Sequence, residues 1–344
     1  MRSLTIYIPG LFGPETPVQK DDLPTLPTLN WFLSKADQKT LTVKSPSYQL
    51  CDLFGLEYPA NHDYPVAAIA RLNDDNQPPS GFWLRADPVH VAADRDGLIL
   101  LDSTRFRLSQ HNALALAAEV NKMLEPRGMS LEVPMPYRWY IRLPEQQHLI
   151  TTPIDMVVGK DLLPYMPRGD DRIAWIQILN EIQMVLHAAE INEQRQQEKQ
   201  LPINSLWFWG TGAIPDRLER KWSLVISDDI LARGLAMLAA TPFEELPEML
   251  PALTNIETGF NGLIAFQRLQ RFNYYHDLEG WFEALMDIEQ NWLQPLKNEL
   301  LNNRLEQIHL RTDSMLFTMD NSSRFRFWRK QKNVLSYKGA QAGK

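Results

Sequence analysis

Apolar and polar positions alternate along this chain in short strand-like and longer helix-like stretches. Leu4 to Ile8 is an apolar run stopped by Pro9-Gly10, the pattern of a buried first strand. After Thr16-Pro17 and the prolines at 24 and 27 comes a helical pattern carrying Leu29, Trp31, Phe32 and Leu33. Residues 73–80, N-D-D-N-Q-P-P-S, are loop by composition. Two apolar runs, 83–91 and 98–101, flank Asp94-Arg95-Asp96-Gly97, where D-G between strands signals a hairpin. Ser109 is placed to cap a helix over 110–124, with Leu114, Ala117, Ala118, Val120 and Leu124 as its inner stripe. Strands are expected near 131–133 and 137–143. Gly169-Asp170-Asp171 then opens a helix over 172–190, with Ile173, Ile176, Leu179, Ile182, Val185 and Leu186 as its core face.

A polar, flexible run (192–200) follows, and Pro202 ends helical geometry. Strand formers at 205–209 lead into Gly210-Thr211-Gly212. Two glycines one residue apart permit a sharp turn and a close approach of backbone N–H groups to a ligand or another strand. Asn192, Arg195 and Asn204 are polar groups that such a turn would hold towards one pocket, and the planar fork of Arg195 suits a carboxylate or phosphate. The same spacing also fits a plain helix–loop–strand connection. Further on, a strand at 222–226, a helix at 228–240, Pro-interrupted loops over 241–262, a strand at 262–268, a helix at 279–303 and a strand at 305–310 are expected.

Composition narrows the class. The 344 residues are 44% hydrophobic and 22% charged, enough for one large or two ordinary domains of a soluble globular protein. A net charge of −7 speaks against general nucleic-acid or anionic-membrane binding. The charge is unevenly spread, however: residues 322–344 hold seven Lys/Arg and no acid, which leaves about −14 on the rest. Arg324-Phe325-Arg326-Phe327-Trp328-Arg329-Lys330-Gln331-Lys332 interleaves bases with aromatics, as a docking segment or as a last alternating strand before a disordered basic end. The single cysteine, Cys51, reads as a small core residue and fits a reducing compartment. The apolar start is broken by Pro9-Gly10 and lacks a small-residue cleavage site. No window reaches eighteen apolar residues, so the expectation is a cytoplasmic chain without a membrane span.

N-x-x-R at Asn192 and Arg195, P-x-N at Pro202 to Asn204, and W-x-W-G-x-G at Trp207 to Gly212 resemble a segment of the archaeal-type cofactor-independent phosphoglycerate mutases. They resemble still more a bacterial family regarded as regulatory relatives of those mutases. T-P-V with L-P-T-L-N-W-F-L, Tyr137-Arg138, and Thr151-Thr152-Pro153-Ile154-Asp155 to Gly159-Lys160 extend the resemblance. It implies a three-layer α/β, alkaline-phosphatase-like mixed sheet with an inserted α+β subdomain. The core would be 1–80 plus 213–335, the insert 81–212, and 336–344 a disordered basic tail.

The resemblance also implies where a two-metal site and a hydroxyl nucleophile would lie, and there the chain departs from the pattern. The first strand ends in Pro9-Gly10 with no Asp, and Asp155 stands where a His is expected. Ser45-Pro46-Ser47 offers a hydroxyl without the surrounding pattern, and Ser314 replaces a His after Asp313. His276, Asp277 and Asp313 are the metal-ligand candidates that survive, and no cofactor is expected. Arg138, Lys160, Arg168, Arg172, Asn192, Arg195, Asn204, Gly210 and Gly212 would face a phosphate in an active mutase. The alternative leaves Arg168 and Arg172 solvated and sets Asn192 and Asn204 to satisfy backbone groups. The function expected is therefore a catalytically degenerate, binding or regulatory protein that recognises a phosphorylated small molecule. The rivals are an active metal-dependent phosphomutase or phosphatase with atypical ligands, and a protein-interaction module using residues 324–332.

Overall fold

The structure is a computed structural model that describes residues 1–14, 16–57, 62–74, 79–95, 97–253 and 256–340, with the backbone alone for 338–340. Asp96 of the expected hairpin, residues 75–78 of the expected loop and residues 341–344 of the expected tail lie outside the described residues. In chain order the first elements are β1 (Ser3–Tyr7), α1 (Pro27–Lys35), β2 (Asp37–Thr40) and α2 (Pro46–Leu53). Next come α3 (Val66–Arg71), β3 (Phe82–Asp94), β4 (Gly97–Leu101), α4 (Gln110–Leu124), β5 (Ser130–Met135), β6 (Arg138–Leu143), α5 (Arg172–His187), α6 (Glu190–Gln197) and β7 (Ser205–Ala213). The remainder is β8 (Leu224–Ser227), α7 (Ile230–Leu238), β9 (Phe243–Glu245), β10 (Asn261–Ala265), α8 (Gln270–Tyr274), α9 (Leu278–Ile288), α10 (Gln294–Leu301), β11 (Gln307–Arg311) and β12 (Met315–Asp320).

These elements form two compact units, Met1–Gly55 with Leu218–Lys344, and Leu56–Arg217. The first is built on a seven-stranded mixed sheet in the order β2-β12-β11-β1-β10-β8-β9. β1 lies between β10 and β11 and is parallel to both, whereas β12 and β2 are added antiparallel at one edge. Leu4, Ile6 and Ile8 point to one face, into a core with Leu29, Phe32, Leu33, Trp281, Leu285, Trp292 and Leu296. The alternate residues point the other way, where Tyr7 reaches the Pro46 carbonyl of α2 and Ser227 bonds the Ala265 carbonyl. Helices thus cover both faces, the three-layer arrangement expected of buried parallel strands. α9 and α10 are one continuous rod joined through a π-turn at Glu289–Leu293. That turn buries Glu289 so that its carboxylate accepts from the Thr28 and Leu29 N–H groups (2.6 and 2.8 Å), capping α1, which has no side-chain cap of its own.

The second unit is an antiparallel sheet, β4-β3-β6-β5, with β7 also paired along β3. Leu84, Ala86, Trp139, Ile141, Leu206 and Phe208 face a core filled by α4 and α5. Mixed α/β with an antiparallel α+β unit is the fold class that the resemblance implies. The unit boundaries fall at Leu56 and Arg217, so residues 56–80 belong with the antiparallel unit, because α3 packs on β3 and β7.

Several elements differ from expectation. Residues 192–197 are helical, not a flexible run, since α6 extends from Glu190 to Gln197. Gly210-Thr211-Gly212 is not a sharp turn. β7 runs through it to Ala213, with a register shift against Trp83–Arg85 that marks a β-bulge. The last strand is β12, and 324–332 is not a strand: a 3-10 turn spans Asn321–Phe325. A second such turn covers Val334–Ala340 and buries Tyr337 against Phe12 and Phe317, where a disordered end was expected from 336 on. Leu114 and Ile173, read as inner positions, are exposed.

Candidate functional site

In the antiparallel unit the polar residues singled out by sequence hold backbone in place. Asn192 is buried at the start of α6, where its amide donates to the Leu186 and Ile203 carbonyls (2.7 Å each) and accepts from the Ile203 N–H. Arg195 is buried as well, its fork on the carbonyls of Leu201 (2.9 and 2.7 Å) and Arg107 (2.8 Å). With no carboxylate in that set, burial pushes its pKa down. Asn204 mimics a strand residue, accepting from Val91 N–H and donating to Val91 C=O. Arg138 is paired to Asp74, which also accepts from the Tyr140 hydroxyl (3.0 Å). Lys160, Arg168 and Arg172 are exposed, and among the described residues none of the three forms an ion pair. Of the nine residues, Gly212 lines the cleft described below, while Asn192, Arg195 and Asn204 are spent on backbone groups.

Two features of this unit had no sequence signal strong enough to be singled out. One is Asp63, buried before α3, whose carboxylate accepts from Thr151 N–H (2.9 Å), the Thr151 hydroxyl and Thr211 N–H (3.3 Å). Thr151 in turn accepts from Gly210 N–H (3.0 Å), so the bulge of β7 is bonded to this pair. Burial pushes Asp63 up to about 6 against the pull of those donors. A cleft of about 230 Å³ borders it, lined among others by His62, Gln147, Thr211 and Gly212. The other feature is Arg85, buried between the rings of Tyr140 and Trp209 (5.1 and 5.3 Å) and paired to buried Asp87. Trp209 donates to the second Asp87 oxygen (2.7 Å). Asp87 is therefore fully engaged, and His90 is bonded to the Pro202 carbonyl (2.8 Å).

In the parallel unit the carboxyl ends of β1, β8, β10 and β11 are where an open α/β sheet presents its ligands. Asp313, just past β11, accepts from the Gly10 N–H (2.7 Å) at the end of β1. Gly10 has φ +77°, and its carbonyl accepts from Asn273 and Trp281 (3.3 Å each). An added Cβ there would lie 2.6 Å from the Asn273 amide and 3.2 Å from the Gln270 Cα, at a φ that side chains rarely adopt, so a substitution at Gly10 is strained. His276, at φ +55°, is exposed with its Nδ1 3.1 Å from the Thr16 hydroxyl. Asp277 caps α9 by accepting from Gly280 N–H (3.0 Å). Ser45 caps α2 through Tyr48 N–H (3.1 Å), Ser47 is buried, and Ser314 is buried with its hydroxyl unpaired. Asp155, where the resemblance places a His, is half-buried in a 3-10 turn of the other unit. Among the described residues no three His, Cys, Asp or Glu side chains gather to hold a metal ion. The surviving candidates His276, Asp277 and Asp313 thus meet Thr16, the start of α9 and the Gly10 N–H.

No protein-family model matches the chain. It is similar to the 2,3-bisphosphoglycerate-independent phosphoglycerate mutase of Methanothrix thermoacetophila, 25% identical over 223 residues, 58% of this chain and 55% of that protein. The enzyme of the same description from Methanosarcina acetivorans is 29% identical over 162 residues, 42% of this chain and 41% of its own. The chain thus matches about half the length of these relatives. Among solved structures, the cofactor-independent phosphoglycerate mutase of Thermoplasma acidophilum aligns over 100% of both chains with 18% identity and a TM-score of 0.46.

Proposed function

We propose that this chain is a catalytically degenerate, alkaline-phosphatase-like relative of the cofactor-independent phosphoglycerate mutases that binds a phosphorylated small molecule without metal-dependent turnover. The observation that carries the reading is the carboxyl end of β1. Where the resemblance expects a metal-ligating Asp the chain has Pro9-Gly10, and the carboxylate that meets this strand end, Asp313, accepts from the Gly10 N–H. A two-metal site needs several carboxylate and imidazole ligands held together at once. Among the residues expected to contact phosphate, Lys160 and Arg168 with Arg172 are the cations left without an ion-pair partner among the described residues, and they are the ones proposed to meet the ligand.

Metal analysis of the purified protein, a mutase assay, and thermal unfolding with 3-phosphoglycerate and with Mn²⁺ test this. The expected outcome is no turnover, no metal held at two per chain, and a midpoint raised by 3-phosphoglycerate, because a ligand bound to the folded state alone stabilises it. Substituting Lys160→Ala with Arg168→Ala should abolish that rise without lowering the midpoint of the free protein. Two tightly held metals, or measurable mutase turnover, would make the chain an active enzyme with atypical ligands instead.

A further inference from the structure

The segment after β12 holds three large aromatic side chains out in water. Phe325, Phe327 and Trp328 are 60%, 84% and 68% exposed. Phe327 and Trp328 meet edge-on with centroids 5.3 Å apart, and Arg324 stacks on Phe325 at 4.6 Å. The backbone beneath is firmly attached. Arg326 donates to both Asp37 oxygens (2.9 and 2.7 Å) and to the Lys35 carbonyl, and Arg329 donates to Asp37 and to the Lys35 and Ala36 carbonyls. Lys332 N–H is bonded to Ser34, and its ammonium to Gln38. The aromatics are thus displayed by an anchored loop at the β2 edge of the sheet, so their exposure is a built feature of the surface.

Charge at this tip opposes that of the whole chain. Five cations between 324 and 332 face two carboxylates, Asp37 and Asp320. The forks of Arg326 and Arg329 are already directed inward. What faces outward is apolar ring surface with the exposed cations Arg324 and Lys330. An anionic bilayer surface takes up aromatic rings at headgroup depth and attracts cations within about 10 Å at 0.1 M salt, which matches exposed rings flanked by bases.

We propose that residues 324–332 form a peripheral docking tip for anionic lipid surfaces, with Phe327 and Trp328 entering the headgroup region and Arg324 and Lys330 beside the phosphates. It needs no membrane-crossing helix, and none of the described helices is long and apolar enough to be one. Attraction between these cations and lipid phosphates makes the binding sensitive to salt.

Co-sedimentation of the full chain with vesicles of phosphatidylcholine alone and of phosphatidylcholine mixed with phosphatidylserine tests the proposal. Binding is expected to the mixed vesicles only, and to be lost in high salt. Phe327→Ser with Trp328→Ser should lower the bound fraction about tenfold or more at an unchanged unfolding midpoint. Trp328 is the one exposed tryptophan among the described residues, so its emission should shift to the blue on binding. Trp328→Phe should keep most of the binding and lose the shift. Absence of binding to the mixed vesicles, equal binding to both kinds, binding that the double substitution leaves intact, or binding with no Trp328 shift would each overturn the proposal. In the first case the tip would be left to a protein with an acidic face.

Discussion

Asp63 accepts from two backbone N–H groups and a hydroxyl and still holds its proton more tightly than a free carboxylate, because burial outweighs those donors. The sign of the linkage follows. A folded-state pKa of about 6 against 3.8 means that the folded state binds the extra proton between those values. The contribution is full below about pH 4 and is lost as pH rises to about 6, on the order of 3 kcal/mol. Asp63→Asn should flatten the dependence of the unfolding midpoint on pH across that window, measured by calorimetry on both proteins. Parallel curves would show that burial does not set this group's pKa. Arg195 gives a second prediction at this scale. Three charge-assisted bonds to carbonyls are lost in Arg195→Ala, for a cost of about 3 kcal/mol or more. The midpoint should fall sharply while any midpoint rise with 3-phosphoglycerate persists. A variant that keeps its stability and loses that rise would instead make Arg195 a ligand contact.

At the scale of elements, the bulge of β7 is where local chemistry and packing meet. Gly210 has φ +66°, and a Cβ there would lie 2.9 Å from the Val66 Cβ of α3. Gly81 has φ +81° but nothing within 4 Å of such a Cβ. Both Ala variants carry the backbone penalty of about 1–2 kcal/mol, and only Gly210→Ala must also push α3 off the sheet. Denaturant unfolding should therefore rank Gly210→Ala as the more destabilised of the two, and equal losses would mean that α3 has room to yield. The strands flanking this bulge were legible because their apolar runs are long and aromatic-rich. The bulge itself was not, since G-x-G has the same appearance in a turn and in a bulge, and only the pairing with Trp83–Arg85 distinguishes them. The helix faces were read correctly at most positions but not at Leu114 and Ile173, because the inner stripes begin with Ala113 and Trp175. The roles of Arg195 and Asp63 were hidden for a different reason. Their partners Arg107 and Thr151 lie 88 residues away from each, and residue type alone does not say whether a buried fork meets a ligand or a carbonyl.

At the scale of the whole molecule, the two units are unequal in how the chain builds them. The antiparallel unit is one uninterrupted stretch, Leu56–Arg217, and its core draws every member, from Leu84 through Trp139 and Trp175 to Phe208, from within that stretch. The parallel unit is discontinuous. β1 is its central strand, and both neighbours, β10 and β11, come from beyond residue 217. Residues 1–55 on their own hold one central strand with both edges open and an apolar face without the α9 and α10 side chains that cover it. Expressed alone, 56–217 should therefore show a cooperative thermal transition and protected amides in β3, β6 and β7, since a stretch of that size can bury a sufficient core. Residues 1–55 alone should be unfolded, and 1–55 joined to 218–344 through a short Gly/Ser linker should regain cooperativity, because loop closure costs little once the strands can pair. A 56–217 fragment without a cooperative transition would mean that this stretch depends on the rest of the chain for its fold. The functional tests would then have to treat the molecule as a single folding unit.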